Sequence, residues 1–162
     1  MPSLVAGILL FAAVVAWDGP PPRAKVVYTV ASGESDAPPE TTTLTWADGK
    51  GRLELKRPGF EGGPDVTDAA DLTPQEFQAL WALVVRHKLA TLAPELSPGV
   101  AHDFGTRTLT VETASKPDMK ADSHTAKWSR PLVNASGVAE YEKALGRLAR
   151  AKLKTTPPIF LP

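Results

Sequence analysis

The chain has 162 residues, 18 basic and 18 acidic side chains, and no cysteine. Without cysteine there can be no disulfides, thiol nucleophiles, thiolate-bound zinc or lipid-bearing N-terminal cysteine. The balanced charge gives no general attraction to nucleic acid or to anionic lipid.

In chain order, residues 3–16 come first. They carry no charged side chain and are dominated by Leu4, Val5, Ile8, Leu9, Leu10 and Phe11. The run closes on Val14-Val15-Ala16, short residues of the kind a signal peptidase accepts. A bilayer-spanning helix needs about 20 apolar residues. This run is shorter, and Asp18 with Gly19-Pro20-Pro21-Pro22 stops it. The expectation is a signal peptide over residues 1–16, cleaved after Ala16. The mature chain is then secreted or periplasmic, with no stable membrane anchor. Residues 17–23 read as a proline-stiffened linker, 24–154 as a single domain, and 155–162 as a tail that Pro157-Pro158 keeps out of a helix.

Residues 25–31 alternate, with Val26, Tyr28 and Val30 on one face. Residues 41–47 place Leu44 and Trp46 inward and Thr41, Thr43 and Thr45 outward. Asp48-Gly49 is a hairpin signal, and residues 52–57 return with Leu53 and Leu55 inward. A loop rich in glycine and acid follows over 58–71. Thr73-Pro74-Gln75-Glu76 is a capping box with proline at the first helical position. Phe77, Leu80, Trp81 and Val84 continue at helical spacing, which predicts a helix over 74–88. Residues 92–104 form a proline-bearing loop. Strands are expected at 106–113, with Leu109 and Val111 inward, and at 119–128, with Ala126 and Trp128 inward. A second helix runs over 136–154, its buried stripe made by Val138, Tyr141, Leu145 and Leu148. Together these segments predict an α+β fold in the order βββαββα. It is a single antiparallel sheet of about five strands, with two helices packed on one face.

Catalytic patterns are scarce. There is no Gly-x-Ser-x-Gly elbow and no Ser-x-x-Lys. The glycine-rich segment 59–63 lacks the lysine of a phosphate loop, and the acids around it repel phosphate. No cofactor is implied. His102, Asp103 and His124 could assemble a metal site in space, set against ordinary solvated histidines. Glu61, Asp65, Asp68 and Asp71 could offer oxygen ligands to calcium, though their spacing matches no EF-hand and suits a solvated acidic loop. The threonine rows 41/43/45 and 106/108/110 suit the wet face of a half-buried sheet.

The run LELKRPGFEG at 53–62 resembles the strand and glycine-phenylalanine loop that open emfourin-like proteins. The capped helix after Leu72, then His102-Asp103-Phe104 leading into the strand Thr108-Leu109-Thr110-Val111, then a final helix, follow the emfourin order over about residues 53–150. Pro58 stands where that family usually has glycine, and the strands before residue 48 are additional to its pattern. The resemblance implies a small α+β protein that inhibits thermolysin-like metalloproteases.

An inhibitory loop needs a rigid segment with an apolar anchor. Residues 94–98 offer Leu96 between Pro94 and Pro98, flanked by Glu95 and Ser97, and Phe60 is a second anchor. The competing expectation is that Leu96 and Phe60 tuck into the edge of the core. The sequence thus points to a non-catalytic binding protein whose partner is a secreted protease or another protein. The alternatives are a small metal-dependent hydrolase around His102, Asp103 and His124, or an envelope-associated structural protein.

Overall fold

The computed structural model describes residues 20–33, 38–59, 61–96, 105–116, 118–129 and 136–155. The apolar N-terminal run and the end of the tail therefore lie outside the described residues. Strands β1 (Arg23–Ala31), β2 (Glu40–Ala47) and β3 (Lys50–Arg57) are followed by β4 (Val66–Leu72) and helix α1 (Pro74–Arg86). A single 3-10 turn (Leu89–Thr91) leads on to β5 (Thr106–Ala114), β6 (Asp122–Ser129) and helix α2 (Ser136–Lys152). All six strands pair antiparallel in one sheet of order β4-β3-β2-β1-β5-β6. The class is α+β, with both helices on one face of the sheet.

The alternation read from the sequence sets the faces. Val26, Tyr28, Leu44, Leu53, Leu55, Leu109, Val111, Ala126 and Trp128 are all buried in one core cluster with residues of both helices. The β2–β3 hairpin turns at Asp48 and Gly49, whose φ values of 52° and 74° are both left-handed. That pair of angles matches the right-handed twist of the flanking strands.

The sheet has six strands where about five were expected. The additional one, β4, lies in the segment read as loop. Its sequence, VTDAADL, has no clean alternation, because Asp68 and two alanines interrupt it. It is a strand because β3 pairs with it from Gly51↔Leu72 to Arg57↔Val66. As an edge strand it carries Asp68 and Asp71, charges that discourage pairing with another chain. Other boundaries move by one to three residues. β6 begins at Asp122 and not at Met119, since the Met119 N–H turns back to the Lys116 carbonyl (3.2 Å). Helix α1 stops at Arg86, because His87 caps it and Lys88 takes φ 52°.

Helix α1 starts with the expected capping box. Thr73 accepts from the Glu76 N–H (3.2 Å), and Glu76 accepts from the Thr73 N–H (2.8 Å). Phe77, fully buried, stacks on Trp46 of β2 at 4.8 Å between ring centroids and on Trp81 at 6.1 Å. This anchors α1 over the hairpin end of the sheet. Helix α2 runs antiparallel to α1: Lys152 meets Glu76 at 2.7 Å, and His87 meets Glu140 at 2.7 Å. The Tyr28 hydroxyl of β1 donates to the Glu142 carboxylate of α2. Asp68 accepts from the Thr155 N–H just beyond α2 (2.8 Å).

The opposite sheet face has no helix among the described residues and is threonine-rich, as the two rows predict. Register brings both rows against β1, where Thr29 lies between Thr41 and Thr108, and Val27 between Thr43 and Thr110. Thr110 and Thr125 hydroxyls meet at 2.9 Å. Salt bridges cross this face between Lys25 and Glu112 (3.6 Å) and between Arg52 and Asp71 (3.3 Å).

Candidate functional site

Antiparallel pairing sorts the connections between the two ends of the sheet. Ala31, Glu40, Arg57, Val66, Thr106 and Ser129 all end or begin strands at one end of the sheet. The connections 32–39, 58–65, 92–105 and 130–135 leave from or return to that end. The opposite end holds the tight Asp48-Gly49 turn, the step from Leu72 into α1 and the β5–β6 turn. Long loops carried on a rigid scaffold are the usual location of binding residues. Phe60 belongs to one of these connections; Leu96, Ser97, His102 and Asp103 belong to another. Phe60, Ser97, His102 and Asp103 lie outside the described residues.

Glu95 and Leu96 are described, and they lie on an ordered segment. The Lys127 N–H donates to the Pro94 carbonyl (2.8 Å), and the Leu96 N–H donates to the Lys127 carbonyl (2.9 Å). Glu95 and Lys127 form a parallel bridge, so the segment runs beside β6 toward its Ser129 end. His124 adds a third attachment, from its Nε2 to the Leu92 carbonyl (2.6 Å). Pro94 and Glu95 are exposed, whereas Leu96 is half-buried and packs against the core cluster. The side chain that this segment offers most freely is therefore the Glu95 carboxylate.

His124 is occupied. A carbonyl only accepts, so its Nε2 carries the proton and has no lone pair for a metal. Its position on β6 is five residues from Ser129, about 17 Å along the strand from the loop-bearing end. Among the described residues, no three His, Asp or Glu side chains converge closely enough to hold a metal ion.

One group of side chains was not singled out in the sequence. On the helix-covered face near the loop-bearing end, Glu40, Arg57 and Arg107 stand in one row with Val30 and Trp128. Glu40 and Arg57 pair at 2.5 Å (Oε2 to Nε). Arg107 sits across β1 from Glu40, since both are opposite Val30. Burial pushes the Glu40 carboxyl above its ordinary range, against the opposing pull of the Arg57 guanidinium. Thr42 lies one step further into the core, opposite Tyr28. Glu40 Oε1, Thr42 Oγ1, Arg57 Nη2, Arg107 Nε and the Tyr141 hydroxyl are buried without a hydrogen-bond partner. Burial also pushes the Tyr141 phenol upward, so it stays neutral. A signal for the charged row was present: Arg57 shares strand parity with Leu53 and Leu55, and Arg107 with Leu109 and Val111.

No family model matches the chain, and no curated protein matches it either. The site's chemistry thus rests on its geometry. That geometry offers guanidinium groups, an ordered edge segment and four connections that meet the sheet at one end.

Proposed function

We propose that the protein is a secreted or periplasmic binding module that acts without catalysis, and that its loop-bearing end seats a partner protein. One observation carries this reading. The connections with the apolar anchors Phe60 and Leu96 share one end of a firmly paired sheet, and residues 94–96 are hydrogen-bonded onto β6. A segment held in place loses little conformational entropy on binding, which is what a tight inhibitor requires. The resemblance to emfourin-like proteins over about residues 53–150 supports a specific form of the reading: inhibition of a thermolysin-like metalloprotease.

The test is direct. The purified chain is titrated into thermolysin with a peptide substrate. Stoichiometric loss of activity is expected. Full protease activity at a hundredfold excess of the chain would exclude the inhibitor form. Mass spectrometry of the exported protein should find a new N-terminus after Ala16, and an intact Met1 would argue against export by signal cleavage.

A further inference from the structure

The balanced total charge hides an asymmetry along the chain. All 18 acidic residues lie at or before Glu142. Residues 143–162 carry Lys143, Arg147, Arg150, Lys152 and Lys154, and no acidic side chain. Lys152 is turned toward α1, where it meets Glu76 at 2.7 Å. The other four follow at intervals of four, three and four residues, which places them on one face of α2. All four are exposed, whereas Val138, Tyr141, Leu145, Ala149 and Leu153 fill the buried face of the same helix. At 1.5 Å per residue the row is about 16 Å long.

The acids around α2 are engaged off this row. Glu140 pairs with His87 and Arg86 at the start of the helix. Glu142 accepts from the Tyr28 hydroxyl on the sheet side. Asp68 accepts from the Thr155 N–H first, and the Lys154 charge reaches it only last. Among the described residues, neither Lys143 nor Arg147 has an acidic partner.

A convex helix ridge has no wall with which to enclose a small ligand, and it meets a broad surface best. The sequence adds a second signal. Ile159-Phe160-Leu161 follows the last cation within seven residues, beyond Pro157-Pro158. Headgroups attract a row of cations, and the bilayer interface takes up a short apolar group beside them. An acidic protein surface has a use for the cations but none for the apolar triplet. We propose that the exposed face of α2 formed by Lys143, Arg147, Arg150 and Lys154 docks reversibly on an anionic lipid bilayer. This surface is independent of the loop-bearing end and of the binding reading above.

The experiment uses the full chain with two kinds of vesicle: phosphatidylcholine alone, and phosphatidylcholine with phosphatidylglycerol in equal parts. Co-sedimentation is measured over a range of sodium chloride. The apolar residues 3–16 are present in every arm, so the difference between the two vesicles reads the charge. Anionic vesicles should take up more protein, and the excess should fade as salt rises. Lys143→Gln combined with Arg147→Gln should weaken that excess binding by about tenfold or more. Lys50→Gln combined with Lys56→Gln removes the same charge from exposed positions on β3 and should leave it nearly unchanged. Both variants should melt like the wild type, since the substituted side chains are exposed. Equal uptake by the two vesicles, or equal losses in the two variants, would overturn the proposal. Soluble polyglutamate is the second probe. Binding to it that depends on Lys143 and Arg147, with no preference for anionic vesicles, would assign the ridge to an acidic protein and overturn the bilayer as its occupant.

Discussion

His124 donates its Nε2 proton to the carbonyl of Leu92, 32 residues earlier in the chain, at 2.6 Å. With the two backbone bonds to Lys127, this contact holds residues 92–96 against the outer edge of β6. An uncovered edge strand is a template for pairing with other chains, so the histidine helps to guard the sheet. His124→Ala should leave the global fold intact but loosen that segment. Limited proteolysis should then cut near Ala93 faster than in the wild type. Equal cutting rates would show that Lys127 holds the segment alone.

Leu96 is the apolar anchor of the same segment, and its half-buried position divides its effect. Leu96→Ala should cost about 1 kcal/mol of stability, in proportion to the area it buries. Under the binding reading it should also weaken thermolysin inhibition by about a hundredfold. Urea melts and inhibition titrations on one preparation separate the two effects. Lost stability with unchanged inhibition would place Leu96 in the scaffold alone.

Phe77 is fully buried between Trp46 and Trp81. Phe77→Ala should cost about 3–5 kcal/mol, because the aromatic stack cannot close over the cavity. The urea midpoint should fall while the slope of the transition stays the same. A loss below about 1 kcal/mol would mean that α1 is not anchored through this stack.

Gly137 lets the helices meet. A Cβ at this position would lie 2.5 Å from His87 Cγ and 2.6 Å from His87 Cβ. Gly137→Ala should push the His87 ring away from Glu140 and cost about 1–3 kcal/mol, as overpacking does. His87→Ala in the same background should recover part of that loss. A double variant no more stable than the single one would refute the steric account.

Glu76 gives an acid dependence. The Lys152 ammonium first, and the Thr73 N–H second, hold its carboxyl below the ordinary value of 4.5. A lowered folded-state pKa means stabilisation that is complete above the ordinary value and is lost as pH falls through the folded one. Asp68 behaves likewise, chiefly through the Thr155 N–H. Glu40 works in the opposite sense. Its carboxyl is raised by burial, so its contribution declines as pH rises through the raised value. Glu76→Gln should therefore lower Tm at neutral pH, and the gap to the wild type should narrow as pH falls below the ordinary value of 4.5 and through the lowered folded-state value. A gap of constant size over that range would exclude the linkage.

Much of the fold was legible locally. Alternation assigned the inward residues of β1, β2, β3 and β5, and the capping box located the start of α1 to the residue. These signals are short-range: a strand's parity and a helix's first turn are visible within a few residues. β4 was not legible, because Val66, Ala69, Ala70 and Leu72 do not alternate cleanly with polar residues. Its strand state comes from pairing with β3. In the candidate site, Leu96 was identified as an anchor, but its half-burial depends on β6, which is remote in sequence.

The sequence by itself determined which residues of each strand turn inward, where α1 begins, and that cysteine chemistry has no part here. Parity even sends Arg57 and Arg107 to the covered face, two residues beyond leucines on their own strands. Only the tertiary structure decided that Arg57 stands beside Glu40 and that Arg107 stands across Val30 from it. Facing direction is fixed by the two-residue period of one strand, whereas neighbours depend on strand order and register. Those arise when the whole apolar face is buried at once, and they leave the Arg107 Nε buried without a hydrogen-bond partner.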